Sequence, residues 1–400
     1  MRHNKDDILI TYGWVRSSYA ALRNLHMHGV AVHVADTGRI GMSQFSCLKQ
    51  GLSRYRSHYI DEQVFVNDVK RICEEQQLDL ILPSHNETEV LARHRDQLGE
   101  RLSRLLPRYE HCVLFNNKSS TYDYVKSLGV PVPHRYSYAK PQELLTLLEG
   151  QGTVVIKMLT SNSAKGVFYA QTPAQALEIV QVLIQRYALS QERYPQIEQM
   201  VGGEGWGCSV LYWQGQPIAD FSHRRLREKI ATGGTSTLRE LGNQPGIREA
   251  AHRIFTTLGW HGLAMCEFKV CPKTGKFWFI EVNPRMWGSI PLAINAGVEF
   301  PYLAWLCATQ GPDAAKAYHA GRVQQSRHKA RWLLGDLMMV ARHLLRLQWR
   351  SSVEILAEKV DSTDDFYWDD PNAFVGEVLY YVRNSLAKLS LNPEEKGMVK

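Results

Sequence analysis

The chain has 400 residues, of which 44% are hydrophobic and 22% are charged, so it can form two or three domains with large buried cores. Its net charge of +7 suits an anionic small substrate, a nucleic acid or an anionic membrane, and is too evenly spread to select one. The seven cysteines form no C-x-x-C pair, which argues against zinc and redox motifs. With no apolar leader and no membrane-spanning run, we expect a cytoplasmic protein.

The start of the chain alternates strands with a helix. Strand-like runs at 8–10 and 30–34 flank a helical pattern, which predicts a parallel α/β sheet within a first domain, residues 1–115. Only Gly13 stands where a dinucleotide-binding G-x-G-x-x-G motif would need three glycines, so that function is disfavoured. A buried strand at 78–83 precedes Glu87, at the sheet edge where ligands tend to bind. Substrate binding and loop capping both remain open for Glu87.

A second unit is expected over residues 116–315. A helix begins near Lys118, and Lys157 lies on a strand before a loop of small residues at 160–166. Backbone N–H groups of such a loop, together with lysine side chains such as Lys165, can hold phosphate groups. An ordinary hairpin connection with an exposed lysine is the alternative interpretation.

The segment 198–204 joins two strands of this second unit, which we divide into subdomains 116–195 and 196–315. Backbone groups between the strands could pair with the edge of an adenine ring. An acidic side chain, Glu198 or Glu204, could accept hydrogen bonds from ribose hydroxyls. A simple glycine-rich turn is the competing interpretation.

Basic side chains flank a Gly/Thr/Ser segment between residues 223 and 239. Arginine forks such as those of Arg225 and Arg239 match carboxylate and phosphate oxygens. A solvated basic turn is the alternative. Nucleic-acid binding is disfavoured, because no aromatic residues are interleaved here as stacking platforms.

Two carboxylates are expected to face each other across a hairpin at 266–283. If the chain folds about Thr274, Glu267 lies opposite Glu281, and Asn283 shares the face of Glu281. Like charges at this spacing are destabilising, and a divalent cation with oxygen ligands would remove the repulsion. A register shifted by one residue would instead place the two carboxylates on opposite faces.

Taken in order, these segments resemble the ATP-grasp superfamily over roughly residues 8–310. The resemblance implies a fold of mixed α/β and α+β class, in which a parallel α/β pre-ATP-grasp domain precedes a two-subdomain ATP-grasp fold. It implies an ADP-forming ligase that activates a carboxylate as an acyl phosphate and joins it to an amine. Within the superfamily, the chain is similar to carboxylate–amine ligases and to carbamoyl-phosphate-synthase-like proteins. The implied cofactors are ATP and Mg²⁺ or Mn²⁺.

The resemblance also implies a role for individual residues. The implied ATP ligands are Lys118, Lys157, Ser161, Gly166, Glu198, Gln199, Met200, Val201 and Glu204. The implied metal ligands are Glu267, Glu281 and Asn283. The implied catalytic residues are Arg285, Lys165 and Arg239. The implied substrate-binding residues are Arg225, Arg227, Gly233, Gly234, Thr235 and Glu87. Two other functions remain open: a nucleotide-binding regulator without catalysis, and phosphoryl transfer to a stable acceptor.

Residues 316–400 are predicted to form a helical extension. Within it, residues 331–349 combine an apolar helix pattern with arginines. Apolar residues cover much of the helix circumference, which favours packing on the body or against a second subunit over contact with a membrane surface.

Overall fold

A computed structural model describes residues 6–160, 166–228 and 235–388. Four predicted site residues lie outside these ranges, namely Ser161, Lys165, Gly233 and Gly234.

The first region is a parallel four-stranded sheet of order β3-β2-β1-β4, as the strand–helix alternation predicted. Side chains of β1 alternate between two cores: Ile8 and Ile10 pack with α1 residues, whereas Leu9 packs with Phe65 and Val69 of α3. The elements are β1 (Ile8–Ile10), α1 (Arg16–Met27), β2 (Val32–Asp36), α2 (Met42–Phe45), β3 (Gly51–Arg54), α3 (Glu62–Gln76), β4 (Leu80–Leu82), α4 (Glu87–Arg93) and α5 (Arg95–Leu98).

The second region contains an antiparallel sheet of order β5-β8-β6-β7. Helix α9 packs on it through Ala176, Val180 and Leu183. The elements are α6 (Tyr109–Asn116), α7 (Lys118–Ser127), β5 (Arg135–Tyr136), α8 (Leu144–Leu147), β6 (Val154–Lys157), β7 (Val167–Ala170), α9 (Pro173–Tyr187) and β8 (Gln196–Gln199), with short 3₁₀ turns at Pro141–Glu143 and Gln191–Arg193.

The third region is a seven-stranded sheet of order β13-β12-β9-β10-β11-β14-β15. Its central strands are long and antiparallel, and helix α10 covers one face with five buried apolar residues. The elements are β9 (Glu204–Trp213), β10 (Gln216–Glu228), β11 (Ser236–Leu241), α10 (Pro245–Leu258), β12 (Gly262–Val270), β13 (Phe277–Asn283), α11 (Ile290–Asn295), α12 (Phe300–Thr309) and α13 (Pro312–Ala320).

The hairpin of β12 and β13 has a bulge that determines its functional face. Val270 pairs with Phe277 near the turn, a register centred half a residue before Thr274. The pairing then shifts by one at Ile280, so that Glu267 lies directly opposite Glu281. The extra residue also resets the alternation of faces, since Phe279 and Val282 both enter the same core. The predicted opposition of the carboxylates is confirmed, and the bulge produces it.

The C-terminal elements do not form a purely separate helical unit. They are β14 (Lys329–Arg331), α14 (Leu333–Leu345), α15 (Trp349–Ala357), β15 (Ser362–Thr363) and α16 (Pro371–Lys388). Strand β14 pairs with β11, and β15 pairs with β14, so the sheet extends past the predicted boundary at residue 315. The single helix predicted for 331–349 is wrong, because Arg331 is in a strand and a turn separates α14 from α15.

The expected burial of that segment is correct for only part of it. Leu334 and Val340 are buried, whereas Leu345, Leu347 and Trp349 are 87%, 76% and 62% exposed. Packing on the body of the same chain therefore does not cover the turn between α14 and α15. Among the described residues, no helix is both long and apolar enough to cross a membrane.

The turn before β9 packs against the hairpin of β12 and β13, and a substitution in the turn tests this contact. Gly203 has a φ of +127°, and a Cβ atom there would lie 2.6 Å from the carbonyl oxygen of Val270 in the hairpin. We expect Gly203→Ala to destabilise the protein by about 1–3 kcal/mol. Gly202→Ala is the matched control, because a Cβ at Gly202 meets nothing within 4 Å. Urea unfolding of both variants measures the difference; equal stabilities would contradict this packing.

Candidate active site

The opposed carboxylates of β12 and β13 form the centre of the site. Arg225 of β10 reaches across the sheet, and its Nη2 lies 2.5 Å from Oε1 of Glu267. The side-chain amide of Asn283 donates a hydrogen bond to the same oxygen, at 3.2 Å. Within the described ranges, no comparable contact neutralises Glu281, which lies opposite. The pair is therefore asymmetric: Glu267 has a guanidinium partner, and Glu281 depends on more distant charges.

Those distant charges are two lysines from other elements. Burial raises the pKa of Glu281, and the neighbouring charge of Glu267 raises it further. The ammonium groups of Lys118 and Lys157, and the Arg225 guanidinium, lower it and offset part of this rise. Burial also lowers the pKa of Lys118, which the charge of Glu281 opposes. The carboxylates of the hairpin and the predicted lysines therefore lie in one electrostatic environment.

Lys118 owes its position to a helix start. Asn117 caps α7 by accepting hydrogen bonds from the backbone N–H groups of Ser119 and Ser120, at 3.0 and 3.2 Å. The backbone N–H of Lys118 donates to the carbonyl of Leu159, which ties the helix start to the end of strand β6. This contact brings the two segments that carry the predicted lysines together.

Lys157 is buried at the end of β6 and pairs with Glu198 of β8. Its Nζ lies 2.6 Å from Oε2 of Glu198, and the Gln196 amide donates to the other carboxylate oxygen at 2.5 Å. Both charged side chains are more than nine-tenths buried. An uncompensated charge at this depth is costly, so each residue needs the other. Glu198 thus holds a lysine in this structure, in addition to lying beside the predicted adenine site.

A cleft connects these groups. Its unfilled space, including the part open to solvent, is about 590 Å³. The charged side chains that line it are Lys118, Glu198, Glu281 and Arg285, and Asn116, Tyr122 and Asn283 are among the other lining residues.

Arg285 connects the cleft with the first region of the chain. Burial lowers its pKa, and the charges of Glu281 and Glu87 oppose this effect. Glu87 is fully buried and accepts hydrogen bonds from the Thr11 hydroxyl at 2.6 Å and from the Ser84 backbone N–H at 2.7 Å. Glu87 therefore caps its loop and also places negative charge near Arg285, and its role in substrate binding stays a prediction.

The predicted adenine segment forms the edge of this region. The N–H of Gln199 donates to the carbonyl of His134 at 2.8 Å, and the N–H of Met200 donates to that of Thr153 at 3.2 Å. These two donors are occupied within the sheet, and Met200 is half exposed. Val201 follows them, and its role in binding stays a prediction.

Three other predicted site residues are described by the structure, namely Glu204, Gly166 and Thr235. Glu204 pairs with Arg224, with 3.2 Å between the closest atoms. Gly166 closes the loop after Lys157, and its carbonyl accepts from the N–H of Met158. Thr235 is exposed before β11.

Two of the predicted basic residues pair with the C-terminal region. In its described part, the segment 223–239 is a pair of strands, β10 and β11, so the alternative interpretation as a solvated basic turn does not describe it. Arg227 bonds to Asp336 of α14 at 2.6 Å, and Arg239 is fully buried against Asp364. The structure thus places both arginines in ion pairs behind the cleft, and does not bring them to the carboxylate pair.

The sequence did not predict Asn116 and Tyr122 as site residues, and it predicted a different partner for Arg225. It assigned Arg225 to substrate, whereas the structure pairs it with Glu267; the strand register that joins them is not visible in either segment alone. Asn116 and Tyr122 line the cleft without having been predicted. A signal for Tyr122 existed, because it follows Lys118 by four residues and so shares its helix face.

The donor set suits a hard cation that is also bound by a ligand. Two carboxylates and an amide converge, and within the described ranges no group of three or more His, Cys, Asp or Glu side chains could hold a metal. Two protein carboxylates plus phosphate oxygens are the usual environment of Mg²⁺. The Arg225 guanidinium on Glu267 shows that this carboxylate accepts a cationic partner.

Comparison with known proteins gives the same fold. Residues 202–329 match the family described as "ATP-grasp in the biosynthetic pathway with Ter operon". The carbamoyl phosphate synthase large chain of Pyrococcus furiosus is 27% identical over 192 residues, covering 45% of this chain and 18% of that protein. The chain thus spans less than a fifth of this curated relative.

Solved structures extend the similarity to most of the chain. The biotin carboxylase domain of Hydrogenobacter thermophilus 2-oxoglutarate carboxylase, solved as a dimer with MgADP, ADP and bicarbonate, has a TM-score of 0.62 at 12% identity and covers 82% of this chain and 74% of its own. N5-carboxyaminoimidazole synthetase from Staphylococcus aureus, complexed with ADP, has a TM-score of 0.59 at 14% identity, with coverages of 76% and 77%.

The chain therefore resembles ATP-grasp proteins in sequence over residues 202–329 and in fold over most of its length. The predicted fold class, with a parallel sheet at the start and a largely helical C-terminal region, is confirmed. The predicted cofactors, ATP and Mg²⁺, agree with the ligands of these neighbours.

The raised pKa of Glu281 predicts an effect on stability. A carboxyl whose pKa is raised by folding costs stability when ionised, at pH values above that pKa. At neutral pH we expect Glu281→Gln to stabilise the nucleotide-free protein by about 1 kcal/mol. Glu267→Gln is the contrasting variant, because it removes the partner of Arg225 and should destabilise the protein. Thermal unfolding measures both, and a lower melting temperature for Glu281→Gln would contradict this account.

Proposed function

We propose that the protein is an ATP-dependent, ADP-forming ligase that activates a substrate carboxylate as an acyl phosphate and joins it to an amine. The observation that carries the proposal is the convergence of Glu267, Glu281 and Asn283 with Lys118 and Lys157. Cationic groups and metal ligands at this density suit phosphoryl transfer, which depends mainly on positioning and neutralisation of charge.

Each residue has a distinct part in holding the nucleotide. Mg²⁺ held by Glu267, Glu281 and Asn283 would neutralise phosphate oxygens of ATP. Lys118 and Lys157 would contact other phosphate oxygens, with Glu198 holding Lys157 in place. The adenine ring would lie along Gln199, Met200 and Val201, with Glu204 near the ribose.

The chemistry then needs no nucleophilic side chain. An oxygen of the substrate carboxylate attacks the γ-phosphorus, and the bond to the β–γ bridging oxygen breaks, which releases ADP. The amine nitrogen next attacks the acyl carbon, inorganic phosphate leaves, and the nitrogen loses a proton. Arg285 lies where it can orient the carboxylate, since it faces both Glu281 and the Glu87 side of the cleft.

Relatives support the reaction class without identifying substrates. The similar proteins include a carbamoyl phosphate synthase large chain and an N5-carboxyaminoimidazole synthetase, and the biotin carboxylase domain is a dimer in complex with MgADP, ADP and bicarbonate. We propose small-molecule carboxylate and amine substrates, and a homodimer by analogy with that domain.

A release screen tests the proposed function. Purified protein is incubated with Mg²⁺, ATP and pairs of acids and amines (amino acids, peptides, hydroxy acids and sugar acids), while ADP and phosphate are measured. We expect ADP release that requires both substrates, with a product of the mass of the amide. A phosphorylated acceptor as the final product, or nucleotide binding without turnover across the panel, would contradict the ligase assignment.

Removing one carboxylate should abolish turnover. We expect Glu281→Gln to lower substrate-dependent ADP release by about a hundredfold or more, because the metal would lose a charged ligand. Glu249→Gln is the matched control: this glutamate is 73% exposed on α10 and should retain the wild-type rate. Circular dichroism confirms folding of both variants. An unchanged rate for Glu281→Gln would refute the metal assignment.

Protons should compete with the metal for Glu281. Its pKa is raised, so we expect activity to fall with decreasing pH, with a midpoint above the ordinary glutamate value of 4.5. Raising the Mg²⁺ concentration should move this midpoint to lower pH. The pH–rate profile at several Mg²⁺ concentrations measures the shift, and a midpoint independent of Mg²⁺ would count against competition at this carboxylate.

A further inference from the structure

The turn between α14 and α15 presents apolar side chains to solvent. We define the arginine–tryptophan turn as residues 342–350. Three of its four large apolar residues, Leu345, Leu347 and Trp349, are 87%, 76% and 62% exposed. Isolated exposed apolar residues are common, but three within five positions of the chain favour a surface that binds a partner.

The exposed apolar surface continues along α15. Trp349, Val353 and Leu356 recur at helical spacing, and the last two are 64% and 56% exposed. Ser352 and Ile355, between them, are buried against the body. Helix α15 therefore packs through one narrow face and directs a second apolar stripe away from the protein.

The turn is held in shape by its own hydrogen bonds. The backbone N–H of Gln348 donates to the carbonyl of His343 at 2.9 Å, and the side chains of these two residues are 2.6 Å apart. Leu347 adopts a left-handed backbone conformation, with a φ of +58°. A non-glycine residue rarely takes this conformation. The exposed side chains are thus presented by an ordered turn.

The charges of the arginine–tryptophan turn itself are of one sign, and the nearest exposed acidic residue that follows it is Glu354 on α15. Arg342, Arg346 and Arg350 are exposed within the turn, and the sequence from 337 to 353 contains no aspartate or glutamate. Tryptophan and leucine flanked by arginines are typical of helices that lie in the interface of an anionic bilayer.

We propose that the arginine–tryptophan turn and the outer stripe of α15 dock the protein on an anionic lipid surface. Leucine and tryptophan side chains would enter the boundary between headgroups and acyl chains, while the arginines contact lipid phosphates and carboxylates. A second copy of the chain fits less well. A twofold contact would bring the same three arginines of both copies close together without acidic partners from this segment. The proposal is independent of the ligase reaction.

Vesicle sedimentation of the full chain tests the proposal. The probes are vesicles of phosphatidylcholine alone and of phosphatidylcholine with phosphatidylserine. We expect binding to the anionic vesicles only, weakened by added salt. The variant Arg346→Gln with Arg350→Gln should weaken binding about fivefold per arginine removed. The variant Leu347→Ser with Trp349→Ser should weaken it about tenfold or more.

Matched controls separate docking from folding. Ile60→Ser with Val323→Ser removes two apolar side chains that are 76% and 89% exposed elsewhere, and should bind vesicles as the wild type does. Melting temperatures of all variants should match that of the wild type. The proposal would be overturned if the wild type failed to bind anionic vesicles. It would also be overturned if both turn variants bound these vesicles as tightly as the wild type. Light scattering that shows self-association abolished by Leu347→Ser with Trp349→Ser would assign the surface to a second copy instead.

Discussion

The central physical constraint of this structure is the repulsion between two glutamates held on opposing strands. Glu267 and Glu281 cannot move apart, because strands β12 and β13 are hydrogen-bonded on both sides of the pair. Direct opposition of like charges is unfavourable, and partial burial increases the cost. The surrounding basic groups offset this repulsion. Arg225 pairs with Glu267, and two lysines from other elements lower the cost of ionising Glu281. The remaining negative charge favours binding of a cation, and a metal–nucleotide complex can supply one.

The lysines illustrate how the fold supplies charge from a distance. Lys118 starts a helix whose first N–H bonds to the end of strand β6, and Lys157 lies on that strand. Buried Glu198 compensates Lys157, so the positive charge is stable without ligand and its position is defined. Arg285 connects the same cleft with Glu87 at the edge of the parallel sheet. Three regions of the chain therefore contribute to one electrostatic centre.

The sequence was informative wherever the determining contacts are local. The strand–helix alternation predicts the first sheet, and the hairpin predicts which carboxylates face each other. Even there, the correct register depends on a bulge at Ile280, which no local signal marks. The partners of Arg227 and Arg239 could not be predicted, since Asp336 and Asp364 lie 109 and 125 positions further along the chain.

The C-terminal region was the least predictable part for the same reason. An apolar pattern indicates that a helix is at least partly buried. It does not indicate how much of the helix surface is buried or which element covers it. Buried acids of this region, Asp336 and Asp364, neutralise arginines of the ATP-grasp sheet, and two short strands extend that sheet. The turn between α14 and α15 remains apolar and exposed, although the pattern of residues 331–349 predicts packing.

Cation binding measured with and without nucleotide tests the central claim most directly. Mn²⁺, a spectroscopic substitute for Mg²⁺, can be titrated by electron paramagnetic resonance into the wild type and Glu281→Gln, with and without a non-hydrolysable ATP analogue. We predict that Mn²⁺ binds weakly to the wild type without nucleotide. With the analogue present, Mn²⁺ should bind the wild type at least about tenfold more tightly than it binds Glu281→Gln. Equal Mn²⁺ affinity in both proteins, with the analogue present, would contradict the claim that the opposed glutamates form a metal–nucleotide site.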